Sequence, residues 1–491
     1  MSATKRALPW LSLTRRCVIR RTPRETVHSR RFSSSRLSNA PAPALAVANF
    51  PASSQVDASA IGDLLTLLKS QTSSHSGHDA ALVLATPGFT KFAADDDICK
   101  ALAQNLAPST DKVDQFNLLF GIVDAVACAP HTRRDCEGVA LMRGSLNSCC
   151  PQLWESSGAR TPDNKHDMGS IGFHLEGVSA VTMPLARTTF RNGLSSTLVA
   201  LRYQLGSDGP KLIERRSVLS RDVLLPRTEL ATEDDRHLRL PLQAVTPPRK
   251  IAESFGNILR RVEVNGKSVP ASTELEKAIN SSQDHIDARN SRSDGGFPGI
   301  WAMVSPASRG GVGEHPWTVD SRTVDAGTKK PVRLETIQQG LQNGGRLFKL
   351  LSGGGGWGDK AGLLSLDPDT SPLPPTEEEQ FANLFGSDDG TSSFAPVGAE
   401  VQFFMPDAGS YSDPAVAVGA DLSHAFTFGV VDDLPPPELR DDNGSEIQIT
   451  QGVFGVSSEQ GFFVADPKGQ PFKVNMPGSL LNLPYGAQDS S

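Results

Sequence analysis

The chain has 491 residues, of which 38% are hydrophobic and 21% charged, a globular composition too long for one ordinary core. No apolar run approaches the roughly 18 residues of a membrane-spanning helix; the best stretch, residues 116–130, is shorter and carries Asp124. The net charge of -7 conceals an asymmetry, with ten Lys/Arg against Glu25 alone in residues 1–39 and 38 basic against 54 acidic residues in the remainder, so the acidic body argues against a nucleic-acid surface.

Residues 1–39 are rich in Arg and Ser, nearly free of acids, and interspersed with Leu8, Trp10, Leu11, Leu13, Val18 and Ile19. That composition predicts a mitochondrial transit peptide. The run Arg30-Arg31-Phe32-Ser33-Ser34-Ser35 resembles a two-step matrix processing signal, with a first cut before Phe32 and a mature start near Ala40. The expected location is the mitochondrial matrix, where thiols stay reduced, so the six cysteines predict no disulfide framework. Cys128, His131, Cys136, Cys149 and Cys150 include zinc-type ligands but lack paired C-x2-C spacing, and no metal is assigned.

Residues 40–57 read as an unstructured lead-in. From there to residue 205 the pattern is α/β. Ile61, Leu64, Leu65, Leu67 and Leu68 follow helical spacing, and residues 80–86 are a short apolar run ended by Pro87-Gly88. Asp95, Asp96 and Asp97 suit the start of a helix carrying Ile98, Ala101, Leu102 and Leu106. Residues 117–126 and 138–143 are further buried strands, and 177–184 and 196–203 add β-branched runs. In such sheets ligands gather beyond strand ends, which singles out Thr86-Pro87-Gly88 and the segment after Val126.

The order of residues 58–143, a helix, then Ala81-Leu82-Val83-Leu84-Ala85-Thr86, a helix, then Leu119-Phe120-Gly121-Ile122-Val123-Asp124 and Gly138-Val139-Ala140-Leu141-Met142, resembles the N-terminal half of FIST domains. The resemblance implies a small-ligand sensory module. It carries no functional residue across, because that family has no crisp catalytic motif. Cys128-Ala129-Pro130-His131 stands where a member of the family has a small glycine-rich turn.

Residues 206–296 read as a variable polar middle segment. Phe255, Ile258 and Leu259 suggest a short helix there, and Val262-Glu263-Val264 before Asn265-Gly266 a hairpin. Residues 297–480 read as a second α/β lobe, followed by a tail at 481–491. Within this lobe residues 297–304 are a strand, Trp317-Thr318-Val319 and Arg322-Thr323-Val324 further strands, and 334–350 a helix loosened by Gly340, Gly344 and Gly345. Thr376 and Glu379 form a capping box. Three β segments near 401–404, 425–430 and 461–464 suggest a closing antiparallel sheet.

The most unusual stretch is Gly353-Gly354-Gly355-Gly356-Trp357-Gly358-Asp359-Lys360, five glycines in six positions followed by two charges. Such a loop allows close approach of backbone to another group, at an entropic cost. Gly353, Gly355 and Gly358 formally fit G-x-G-x-x-G. With a helix read before the cluster, however, the strand–loop–helix order is missing, and Asp359 stands where a phosphate loop has Lys. Two readings remain. The glycines let Trp357 pack inward, or the loop binds a small anion with Lys360 or Arg309 as counter-charge. Candidate ligand-binding residues are therefore Arg309, Gly311 and His315 of one glycine-rich loop, and Gly353, Gly355, Trp357, Gly358, Asp359 and Lys360 of the other. Asp367 and Asp369 flank Pro368 as turn residues, ligand anchors or an acid.

No G-x-S-x-G elbow or paired-histidine spacing is present, so no catalytic residue and no cofactor is assigned. The expected protein is α/β (α+β mixed), with two lobes of mixed β-sheets flanked by helices and long polar connections. Its expected role is small-ligand binding or sensing. The rivals are an enzyme with its site at the glycine-rich loops, or an assembly partner of a larger mitochondrial complex. The partners expected are a small molecule and, in the last case, a protein.

Overall fold

Strands β2 (Ala80–Ala85) and β3 (Gln115–Ile122) are parallel and apolar on both sides, so both faces of their sheet have to be covered. The computed structural model describes residues 43–50, 56–57, 60–66, 77–108, 113–126, 137–155, 168–175, 180–225, 237–281, 299–306, 318–320, 322–324, 331–333, 337, 340–341, 344–353, 362–369, 394–406, 425–431, 447–465 and 471–484. It is a mixed α/β protein built mostly of strands, with several mixed sheets, a few helices and a small six-stranded barrel.

The largest sheet runs in the order β23 (Gln448–Gln451), β1 (Ala44–Asn49), β4 (Gly138–Gly144), β2, β3, β7 (Leu198–Gln204) and β8 (Lys211–Ser217). On one face Ala81, Val83, Leu118 and Phe120 pack against α1 (60–66) and α3 (Asp96–Leu106), through Ile61, Leu64, Leu102 and Leu106. Asp95 fixes the start of α3, its carboxylate accepting from the amides of Asp97 (3.0 Å) and Ile98 (3.1 Å). The other face, with Leu45, Val47, Leu82, Leu84 and Leu119, enters the central core.

Two further sheets share that core. One has the order β16 (Thr318–Asp320), β10 (His237–Arg239), β27 (Leu480–Pro484), β22 (Ala425–Val430) and β24 (Val453–Ser458). The other, here the outer sheet, has the order β26 (Pro471–Val474), β25 (Phe462–Ala465), β6 (Ala180–Pro184), β5 (Ser170–Leu175) and β9 (Ser220–Leu225). Phe173 of the outer sheet meets Phe428 and Phe454, with ring centroids 4.8 and 5.9 Å away. Burying rings of this size contributes about 2–3 kcal/mol each, which makes the triplet a main anchor between the sheets.

A repeat is hidden in this topology. In space β1, β4, β2 and β3 are neighbours in that order, with β1–β4 and β4–β2 antiparallel and β2–β3 parallel. Strands β10, β27, β22 and β24 reproduce the same order and the same directions. The two units meet where their third strands end, at an antiparallel bridge between Ala125 and Ser457.

The barrel lies in the chain between the first and second strands of the second unit. Its six strands, β21 (Glu400–Pro406), β12 (Arg249–Phe255), β13 (Ile258–Val264), β20 (Leu364–Leu366), β19 (Arg346–Gly353) and β15 (Trp301–Ser305), close because β15 pairs back with β21. Ala302, Val304, Phe348, Val401 and Phe403 fill the interior. Their neighbours Trp301, Met303, Leu347 and Phe404 point the other way, into the central core. Strand β11 (Leu242–Ala244) adds to β21, and β14 (Lys267–Pro270) adds to β13, ahead of α6 (Ala271–Ser281). The β13–β14 turn uses Asn265 and Gly266 at positive φ (50° and 74°), the hairpin read from Asn-Gly. β17 (Arg322–Val324) and β18 (Pro331–Arg333) form a separate ribbon. The short helices α2 (Thr90–Ala93), α4 (Leu146–Cys149) and α5 (Thr189–Asn192) are single turns at strand ends.

Several expectations need correction. Residues 44–49, read as lead-in, are β1, paired on both sides. The polar middle segment holds β8 to β14 and α6, which belong to sheets and barrel. Phe255, Ile258 and Leu259 lie on the β12–β13 hairpin rather than a helix. Residues 346–350, read as the end of a helix, are β19. A barrel-wall strand buried on both faces, Leu347 outward and Phe348 inward, loses the alternation that marks a strand. The three C-terminal β segments do not form one sheet: β21 is in the barrel, β22 in the second repeat and β25 in the outer sheet. The capping box at Thr376 lies outside the described residues.

Candidate functional site

Strands β19 and β20 are antiparallel partners, Gly353 facing Leu364 and Leu350 facing Leu366. The glycine cluster is therefore the connection of a hairpin whose two strands are barrel staves. This revises the argument against nucleotide binding. A strand does precede the cluster, but the next described element is an antiparallel strand and not a helix, so among the described residues no helix N-terminus follows the cluster to receive a phosphate. Of the predicted ligand-binding residues Gly353 ends β19, while Arg309, Gly311, His315, Gly355, Trp357, Gly358, Asp359 and Lys360 lie outside the described residues.

At the opposite end of the same hairpin is a cleft between the barrel and the outer sheet. Arg346, Leu347, Phe348 and Lys349 of β19, Asp367 and Asp369 just past β20, and Phe472, Lys473 and Asn475 at the end of β26 line it. The space amounts to about 10 Å³, the room of a single water. The ammonium of Lys473 is its centre, 3.4 Å from Asp367 Oδ2 and 2.5 Å from Asp369 Oδ2. The Lys473 and Asp367 side chains are only 15% and 14% exposed. Withdrawing these charges from water is costly, so the pair is better understood as positioning than as a source of stability.

The turn fixes the carboxylates. Asp367 Oδ1 accepts from the amide of Asp369 at 3.0 Å, an Asx turn around Pro368, so the turn reading of these residues and a role at a site coincide. Trp301, buried on β15, donates its Nε1–H to Asn475 Oδ1 at 2.8 Å, which sets the orientation of that amide. The Lys349 ammonium lies 5.8 Å from the Trp301 ring, and that of Lys473 5.9 Å from the Phe463 ring. Lys473 carried no sequence signal. One lysine in an amphipathic strand is ordinarily a solvent-facing charge, and only the pairing of β26 with β25 brings it to the Asp367 turn.

The outer sheet extends this site across its surface. Lys473, Phe463, Thr182, Gly172 and Asp222 are successive cross-strand partners and so share one face. At the far end His174 Nε2 lies 3.0 Å from Asp222 Oδ1. Gly172 makes that pair possible, because a Cβ there would run into the Asp222 carboxylate and come within 3.2 Å of His174 Nε2. Four strand spacings separate Lys473 from Asp222, roughly 19 Å, too far for one small molecule to touch both.

The loops beyond the parallel strands are closed by the protein itself. Glu137 accepts hydrogen bonds from the Thr86 hydroxyl and, at 3.0 Å, from the Gly88 amide. Those are the donors an anion would use at the end of β2. Cys149 and Cys150 are buried thiols, Cys149 pushed up to about 11 and Cys150 also raised well above the ordinary thiol value, in both cases chiefly by burial, so neither is a ready thiolate. Cys128, His131 and Cys136 lie outside the described residues, and among the described residues no group of three or more His, Cys, Asp or Glu side chains could hold a metal. No helix among the described residues is long and apolar enough to cross a membrane.

Comparison with family models, curated proteins and solved structures finds no match.

Proposed function

We propose that this chain is a small-ligand-binding or sensory protein of FIST-like kind, acting in the mitochondrial matrix. The observation that carries the reading is the cleft at the base of the glycine hairpin. There Lys473, largely withdrawn from solvent, is held by Asp367 and Asp369, and a buried tryptophan orients Asn475 beside it. Preorganised polar groups in a partly apolar cleft are what a small ligand requires, and they cost folding energy that a purely structural joint would avoid. Matrix location rests on the composition of residues 1–39.

The test is a thermal-shift screen of the full-length protein against amino acids, nucleotides and organic acids. A reproducible stabilisation that is lost on Asp367→Asn supports the reading. A folded protein that responds to nothing in the panel points to the assembly role. A fusion of residues 1–39 to a fluorescent reporter tests the location separately, and a cytosolic reporter refutes import.

One observation favours an enzyme as second reading: His174 and Asp222 form a pair of the type used for proton transfer. Turnover of a ligand from the same screen, abolished by His174→Gln, would establish it.

A further inference from the structure

Resting on the ligand-binding reading above, we propose that the cleft between the barrel and the outer sheet takes a carboxylate, presented by a small organic acid.

The argument is an inventory of charge and hydrogen bonding. The cleft is lined by three cations, Arg346, Lys349 and Lys473, and two carboxylates, Asp367 and Asp369. Both carboxylates hold Lys473, and Asp367 also accepts from the Asp369 amide. The side chains of Arg346 and Lys349 make no hydrogen bond or ion pair with any described residue, and that of Lys349 has its ring contact with Trp301. The formal balance of the lining is therefore positive, and the cations left over are the two on β19.

Asn475 adds direction. Trp301 Nε1 can only donate, so the amide oxygen of Asn475 must face it and the Nδ2 donors are what remains. Among the described residues nothing accepts from them. A donor-rich lining with surplus positive charge discriminates against a cation and gives a neutral amide no charged partner, whereas a carboxylate satisfies both demands. Leu347, Phe348 and Phe472 border the cleft but bury their side chains in the cores on either side, so the charged and amide groups are what the cleft presents. Size selects within the anions. The space has the room of one water, so it admits one oxygen of a carboxylate and leaves the rest of the acid outside, whereas a tetrahedral phosphate would leave more of its oxygens without donors there.

The experiment is isothermal titration of the full-length protein with propionate, propionamide, propylammonium and inorganic phosphate at neutral pH and low salt. The expected result is millimolar or tighter binding of propionate, at least tenfold weaker binding of the other three, and about tenfold weakening in each of Arg346→Gln and Lys349→Gln. Circular dichroism and the unfolding midpoint check that both variants are folded. They carry partly exposed side chains without ion pairs, so their folding should survive. Equal affinity for propionate and propionamide overturns the carboxylate assignment, and so does binding of phosphate or propylammonium alone; the ligand-binding reading survives either result. Propionate binding that is unchanged in both variants also overturns the assignment to this cleft. Silence from all four probes together with silence in the wider screen overturns both readings.

Discussion

Asp124, two residues past the end of β3, accepts hydrogen bonds from Ser458 Oγ at 3.0 Å and from the Glu459 amide at 2.9 Å, at the end of β24. One carboxylate thus joins the third strands of the two repeated units, beside the Ala125–Ser457 bridge. Replacing Asp124 with Ala leaves the Ser458 hydroxyl and a backbone amide without their acceptor. The expected cost is about 1–3 kcal/mol in urea unfolding. Ser458→Ala should cost less, and the double variant should fall short of the sum, because both changes break the same bond.

Lys473→Met removes the cation that, among the described residues, holds Asp367 and Asp369 together. Asp369 is half exposed and screened by water, so the loss should stay near 1–3 kcal/mol rather than the larger figure of a fully buried pair. Chemical denaturation measures it. An unchanged midpoint would show that the pair contributes nothing to the joint between barrel and outer sheet.

Phenylalanines at two positions should behave oppositely. Phe173, 1% exposed and packed on Phe428 and Phe454, should cost about 3–5 kcal/mol when changed to Ala. Phe190 on α5 is fully exposed, so Phe190→Ser should move stability by no more than about 0.5 kcal/mol. Thermal and urea midpoints of the two variants provide the comparison.

Alkaline pH should destabilise the fold through its buried thiols. Burial pushes Cys99 up to about 12 and Cys149 to about 11, from an ordinary value near 9. Above pH 9 the unfolded chain loses these protons while the folded chain keeps them. The stability present below pH 9 is therefore lost as pH rises, up to about 11 for Cys149 and about 12 for Cys99. The slope is about 1.4 kcal/mol per pH unit for each thiol in its window. Cys99→Ala should flatten that part of the profile, as read from urea unfolding at a series of pH values.

Much of the fold was legible in residue order. The strands at β2, β3 and β4 follow from apolar runs bounded by Pro-Gly, polar or turn residues, α3 from Asp95 and its apolar spacing, and the β13–β14 turn from Asn-Gly, because each is fixed by chemistry within a few residues. The barrel was not legible. Its staves come from residues 249–264, 301–305, 346–353, 364–366 and 400–406, and closure rests on pairings between distant segments, such as β15 with β21, that no local pattern marks. The candidate site followed the same division. Asp367 and Asp369 announced a turn through Pro368, but nothing around Lys473 announced the partner that gives that turn a use.

The glycine hairpin shows where the boundary falls. Sequence by itself determined that residues 353–358 hold five glycines in six positions, a composition whose backbone freedom belongs to glycine alone. Tertiary structure decided what the loop connects, two antiparallel staves of a closed barrel, and what stands at the other end of those staves, a lysine from more than a hundred residues later. Pairing between distant strands depends on which surfaces remain to be covered once the local elements have formed, and that information is spread over the whole chain.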